Sequence, residues 1–222
     1  MRIIAFLFAL LLAVSTAHAE TYMRADSRGE NAPVKVSQDI NGLVKYLTEP
    51  FDSDKQKARA LLAWIVYHID YDKAQAKSQD DRIYYTKTSK KNWSSDDIFE
   101  TRTGMCGDIA KLYQKMLLMS GIDADVVSGR AKNDRHAWTA VKIDNKWLFV
   151  DPTWAMGGKI YIDDWEKQDS YGHKKMIKNR KNGNKEILKK RENRFIVDKW
   201  FLVSPRDMKQ THTPDDPRWL NP

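Results

Sequence analysis

The stretch GMCGDIAKLYQKMLLMSGIDADVVSGRAKNDRHAWTAVKIDNKWLFVDPTW, residues 104–154, decides the fold, because within it helical spacing gives way to strand alternation. From Met105 to Ser120 the apolar residues Ile109, Leu112, Tyr113, Met116 and Leu117 recur at three-and-four spacing, with Met119 at the margin. Gly121 is placed to end that helix. Ala124–Ser128, His136–Ile143 and Trp147–Val150 read as strands, the last two joined by Asp144-Asn145 as a two-residue hairpin turn. A helix feeding antiparallel strands predicts an α+β fold.

Upstream, Ser37 or Asp39 caps a short helix carrying Ile40, Leu43, Val44 and Leu47, which Pro50 stops. Asp52 or Ser53 caps a second, whose stripe is Ala58, Leu61, Leu62, Ile65, Val66 and Ile69. Ser94 or Ser95 caps a third, SSDDIFETR, with acids in its first turn as the helix dipole prefers. Residues 20–34 lack periodicity and contain Gly29 and Pro33, so they read as a flexible lead-in to a domain spanning 35–222. Two polar excursions interrupt that domain, one at about 71–93 and a lysine-rich one at about 163–194. The first is long enough to border a substrate site, and the second reads as a solvated surface segment. Trp200–Val203 reads as the last strand, followed by a Pro-rich tail in which Trp219 packs back on the body.

Residues 1–19 have the form of a signal peptide: Arg2, a twelve-residue apolar run Ile3–Val14, and small residues ending in Ala17-His18-Ala19. The run is short of the ~20 residues that span a bilayer, and Glu20 after the cut offers no lipidation site. Export to the periplasm or medium is expected, with no transmembrane anchor. Net charge is +8, or +7 without Arg2, so an anionic surface or cell-wall polymer is a candidate partner alongside peptide or protein substrates. No specific nucleic-acid partner is expected. A single cysteine in an exported chain cannot form an internal disulfide. By count it is a buried hydrophobe, an intermolecular linker or a reactive thiol.

Position narrows this choice. Cys106 starts a helix, where unpaired N–H groups and the dipole favour a thiolate, and Gly104 and Gly107 leave room for a substrate carbonyl. A thiol nucleophile needs a base. Removal of the leader leaves His68, His136, His173 and His212, of which His68, His173 and His212 read as surface histidines. If Asp144 and Asn145 are the turn residues, Ile143 faces Lys146 and Trp138 faces Asp151, which puts His136 and Asp151 on one face as diagonal neighbours. At ~7–8 Å between backbones an imidazole and a carboxylate can meet. Asp151 then orients His136 as base for Cys106. No cofactor is expected, since one cysteine and scattered histidines lack metal-ligand spacing.

The segments TRTGMCGDIAKLYQKMLLMSGIDADVVSG and RHAWTAVKIDNKWLFVDPTW resemble the transglutaminase-like superfamily, over roughly Ala58 to Trp154. WFLVSPRDMKQTHTPDDPRW resembles the closing segment of its bacterial, kyphoscoliosis-peptidase-like branch. The resemblance implies a papain-like α+β core, a helix carrying the nucleophile packed on an antiparallel sheet. It implies Cys106 as nucleophile, His136 as base and Asp151 as orienting acid, acting on peptide or isopeptide amides through a thioester, as a peptidase or amidase. The alternatives are a cross-linking transglutaminase, a catalytically silent peptide or cell-wall binding module, or a basic adhesive module. The oxyanion donors are expected to be the Cys106 backbone N–H and Trp93, with Trp64 and Gln38 as further candidates. N-terminal sequencing of the exported protein should read from Glu20, and a start at Met1 would contradict the cleavage reading.

Overall fold

The computed structural model describes residues 22–72, 94–132, 134–158 and 194–222. The expected leader, nearly all of the loop at 71–93 and nearly all of the excursion at 163–194 lie outside these residues. The elements are α1 (22–30), α2 (Ile40–Thr48), α3 (Asp54–His68), β1 (Asp70–Tyr71), α4 (Ser95–Thr101), β2 (Thr103–Gly104), α5 (Cys106–Met119), β3 (Ala124–Ala131), β4 (Asp134–Ile143), β5 (Lys146–Val150), β6 (Met156–Gly157), β7 (Phe195–Ile196), α6 (Pro205–Met208) and β8 (His212–Pro214).

Local chemistry sets the helix starts. Asp39 accepts the Asn41 and Gly42 N–H groups at the head of α2, Ser53 accepts that of Gln56 at the head of α3, and Ser94 and Asp97 form a capping box on α4. The apolar stripes then bury: Leu43, Val44 and Leu47 from α2, the Ala58–Val66 run from α3, and Ile109, Leu112, Tyr113, Met116 and Leu117 from α5. Gly121, at φ +82°, releases the chain from α5 into the sheet.

The sheet runs β5-β4-β3-β8, each neighbouring pair antiparallel, and α5 packs on β3 and β4. One face, through Val141, Ile143 and Val150, closes the helical core. On the other, Val127, Trp138, Ala140, Phe149, Met208 and Trp219 form a second, smaller core. This is the α+β, papain-like arrangement that the pattern and the resemblance implied. Among the described residues no helix is long and apolar enough to cross a membrane.

Two readings need correction. Residues 22–30 are helical rather than a flexible lead-in, because Ala25 is fully buried and Asp26 pairs with the buried Arg59 at 2.5 Å. Arg59 also reaches Asp198 at 2.6 Å, so one guanidinium ties the N-terminal helix to the C-terminal segment. Residues 200–203 are not a regular strand: Asp198–Trp200 is a 3-10 turn, Leu202 has φ +54°, and only Val203 bridges, to Phe149. The sheet's last strand is instead β8. Trp219 does pack back, 5.2 Å from Trp147 edge to face.

A Cβ at Gly29 would lie 2.5 Å from the Ala63 Cβ and 2.6 Å from the Trp64 nitrogen. Gly29→Val should therefore destabilise by about 1–3 kcal/mol through overpacking, read as a lower urea midpoint. An unchanged midpoint would mean that α1 does not dock.

Candidate active site

Cys106 is the first residue of α5 and is half-buried. Its N–H belongs to the first turn, whose donors have no carbonyl within the helix. Asp108 closes that turn by accepting the Met105 N–H at 3.1 Å, and burial raises its carboxyl above the usual range. The flanking glycines have different reasons. A Cβ on Gly107 would meet nothing within 4 Å among the described residues, so packing does not require a glycine there. A Cβ on Gly104 would crowd Asp108 and Ile98 at 3.0 and 3.1 Å, so its smallness serves packing.

Asp144 and Asn145 take φ of 50° and 60°, the left-handed pair of a two-residue hairpin turn. Ile143 accordingly pairs with Lys146 and Thr139 with Val150, and Asp151 leaves β5 one residue later. From there its Oδ2 accepts from His136 Nε2 at 2.7 Å, while Oδ1 accepts the Thr153 and Trp154 N–H groups at 3.0 and 2.9 Å. His136 thereby spends Nε2 on the carboxylate, which leaves Nδ1 as the ring nitrogen available to Cys106. The His136 side chain is 8 % exposed and that of Asp151 is fully buried.

Burial opposes a charged imidazole, yet the hydrogen bonds to Asp151 and Cys106 and the charges of both outweigh it and push His136 up to about 10. Burial also opposes a charged Asp151. The N–H groups of His136 and His212, the His136 charge and the Trp154 backbone together hold its carboxyl below the usual range. The pair's contribution to stability follows from these directions. The His136 part is fully present below about 6.5 and is lost as pH rises through about 10. The Asp151 part is present above its ordinary 3.8 and is lost as pH falls through its lowered value.

His212 corrects the reading that made it a surface residue. It is 1 % exposed, on β8, and its Nε2 lies 3.1 Å from the same Asp151 Oδ2. A three-residue strand inside a Pro-rich tail shows no periodicity, so position alone gave no signal. His68 is not a free surface residue either: it stacks on Trp64 at 5.4 Å, and its Nε2 donates to the Gly29 and Glu30 carbonyls. His173 lies outside the described residues. So does Trp93, one residue before the cap of α4. Trp64 is fully buried between His68 and Phe99, where no substrate can reach it, and Gln38 is exposed at the end of the 3-10 turn before α2.

Trp138, Trp154 and Trp200 surround the two imidazoles: Trp154 lies 5.4 Å from His136 and 4.7 Å from His212, and Trp138 lies 4.8 Å from His212. His136, Asp151 and His212 bring atoms of metal-ligating type within 4.8 Å of one another. Both Nε2 atoms, however, are hydrogen-bonded to one carboxylate oxygen, so their donor directions converge on that oxygen and not on a common open point.

The sequence model of the Transglutaminase-like superfamily matches residues 41–152, half of the chain, and the chain belongs to that family. Kyphoscoliosis peptidase of Mus musculus is 31 % identical over 136 residues, covering 56 % of this chain and 19 % of its own length. The Homo sapiens protein of the same name is 28 % identical over 136 residues with the same coverage. The chain thus spans about a fifth of the curated relatives it matches. Among solved structures, a TGase is 18 % identical with a TM-score of 0.44, over 70 % of this chain and 42 % of that one. A proposed cysteine protease from Cytophaga hutchinsonii is 21 % identical with a TM-score of 0.42, over 53 % and 37 %.

Imidazole NMR should show His136 carrying both ring protons through neutral pH and titrating near 10, and Asp151→Asn should bring the midpoint back toward 6.5. A wild-type midpoint near 6.5 would contradict the Asp151 bond.

Proposed function

We propose that this protein is an exported cysteine peptidase or amidase that cleaves peptide or isopeptide amides through a thioester on Cys106. The observation that carries the reading is the 2.7 Å bond from His136 Nε2 to a fully buried Asp151, which leaves the other ring nitrogen for a cysteine at a helix start.

In the first half-reaction the Cys106 sulfur attacks the substrate carbonyl carbon and a tetrahedral oxyanion forms. The Cys106 backbone N–H, a first-turn donor of α5 with no carbonyl partner within the helix, would donate to that oxyanion. His136 gives its proton to the departing amine nitrogen as the C–N bond breaks, and an acyl-thioester remains. In the second, His136 takes a proton from water, the hydroxide oxygen bonds to the acyl carbon, and the sulfur leaves. Asp151 keeps the imidazole in the orientation both transfers need. The word peptidase in the names of the two matched relatives favours water over an amine as acceptor. Export rests on the form of residues 1–19, and a basic surface suits a substrate held near anionic polymers.

The test is a library of fluorogenic peptides and isopeptides, assayed with and without a fluorescent primary amine. Cys106→Ala should abolish turnover, and His136→Ala and Asp151→Asn should lower it by about 10³- to 10⁴-fold. Turnover that survives in Cys106→Ala overturns the reading, and amine incorporation exceeding hydrolysis makes the enzyme a transglutaminase.

A further inference from the structure

We infer that His212 is a positioning residue: it supplies the second imidazole N–H to Asp151 and fixes the carboxylate toward His136. The inference rests on the catalytic reading above and adds a fourth residue to it.

Asp151 has no exposed surface, so each carboxylate lone pair left without a donor has no water to turn to. Two backbone N–H groups serve Oδ1, and His136 serves one side of Oδ2. The remaining acceptor position of Oδ2 faces His212. Without that donor the acid would protonate more readily, and a neutral acid is a poorer partner for an imidazolium.

The surroundings of His212 fix its ring. Nδ1 lies 2.8 Å from the Thr211 hydroxyl, which determines which edge of the ring turns to Asp151. Trp138, Trp154 and Trp200 pack on the ring at 4.8, 4.7 and 5.5 Å. The backbone is held as well, since β8 pairs with β3 through Ala131↔His212 and Gly129↔Pro214. Gly129 permits this approach: a Cβ there would lie 2.8 Å from the Pro214 Cα and 2.9 Å from the Trp138 ring, and would collide with the Thr213 carbonyl. Gly129 is also the partner of His136 across β3 and β4, so this glycine sits between both histidine-bearing strands.

His212 does not serve as the base. Its side chain is fully buried, and its Nε2 is committed to the carboxylate. Among the described residues, the charged or titratable groups facing Asp151 are His136 from β4 and His212 from β8. Cys106 acts through His136, while Lys132 and Lys199 each lie beyond an indole ring, over Trp154 and Trp200.

The experiment is iodoacetamide alkylation of Cys106 across pH, which needs no substrate, in wild type, His136→Ala, His212→Phe and His212→Gln. Phenylalanine keeps the ring packing and removes the donor, whereas glutamine restores an N–H near the position of Nε2. His212→Phe should alkylate about tenfold more slowly at mildly acidic pH, with the acid limb of the profile moved up by about one unit. His212→Gln should return to within about twofold of wild type. A His212→Phe profile identical to wild type, or a loss that glutamine does not rescue, overturns the inference. His136→Ala separates the two claims: if it is slow while His212→Phe is not, only the positioning role fails. If His136→Ala itself matches wild type, the catalytic reading fails. Should His212→Phe not fold, Thr211→Val removes only the hydroxyl beside Nδ1. An alkylation rate about threefold below wild type supports the inference, and an unchanged one overturns it.

Discussion

A carboxylate with no exposed surface is tolerated only when donors replace its water, and among the described residues Asp151 has four of them: two backbone N–H groups and two imidazoles. Much of the architecture serves this group. The hairpin turn at Asp144 and Asn145 sets the register that brings Asp151 to the face of His136. The Asp-Pro-Thr-Trp corner folds back so that the Thr153 and Trp154 N–H groups cap Oδ1. The C-terminal strand returns to the far side of β3 and delivers His212.

The remaining long-range ties hold the layers that carry this corner. Arg59, buried in α3, pairs with Asp26 and Asp198 and so links both ends of the described chain to the central helix. Arg194 does the same for the end of α3, donating to the Val66 and Ile69 carbonyls and pairing with Asp70. Such buried pairs contribute little net stability over well-packed apolar residues, but removing one partner leaves an uncompensated charge. Their effect is to specify one docking arrangement for segments with few large apolar side chains.

That division explains what could be read from the sequence. Regular features were legible because they are local: the stripe of α5, the caps at Asp39, Ser53 and Ser94, and the turn whose parity brings His136 and Asp151 together. The residues missed depend on partners far along the chain. Helix α1 buries Ala25 and seats Gly29 on α3, small residues that carry no hydrophobic period, and Arg24 and Arg28 lie over the Phe51 and Tyr46 rings. His212 belongs to a three-residue strand whose place is set by β3 and by three tryptophans. Gly104 beside the cysteine suggests openness by its position, whereas it is small because Ile98 and Asp108 crowd it.

The proposed function rests on one chemical claim, that the acyl group of a cleaved amide passes through the Cys106 sulfur. Rapid acid quenching during turnover of a cleaved peptide, followed by intact mass and fragment mapping, tests it most directly. The account predicts an acyl adduct on Cys106 in the wild type that disappears as substrate is exhausted. Turnover that proceeds with Cys106 unmodified would contradict it.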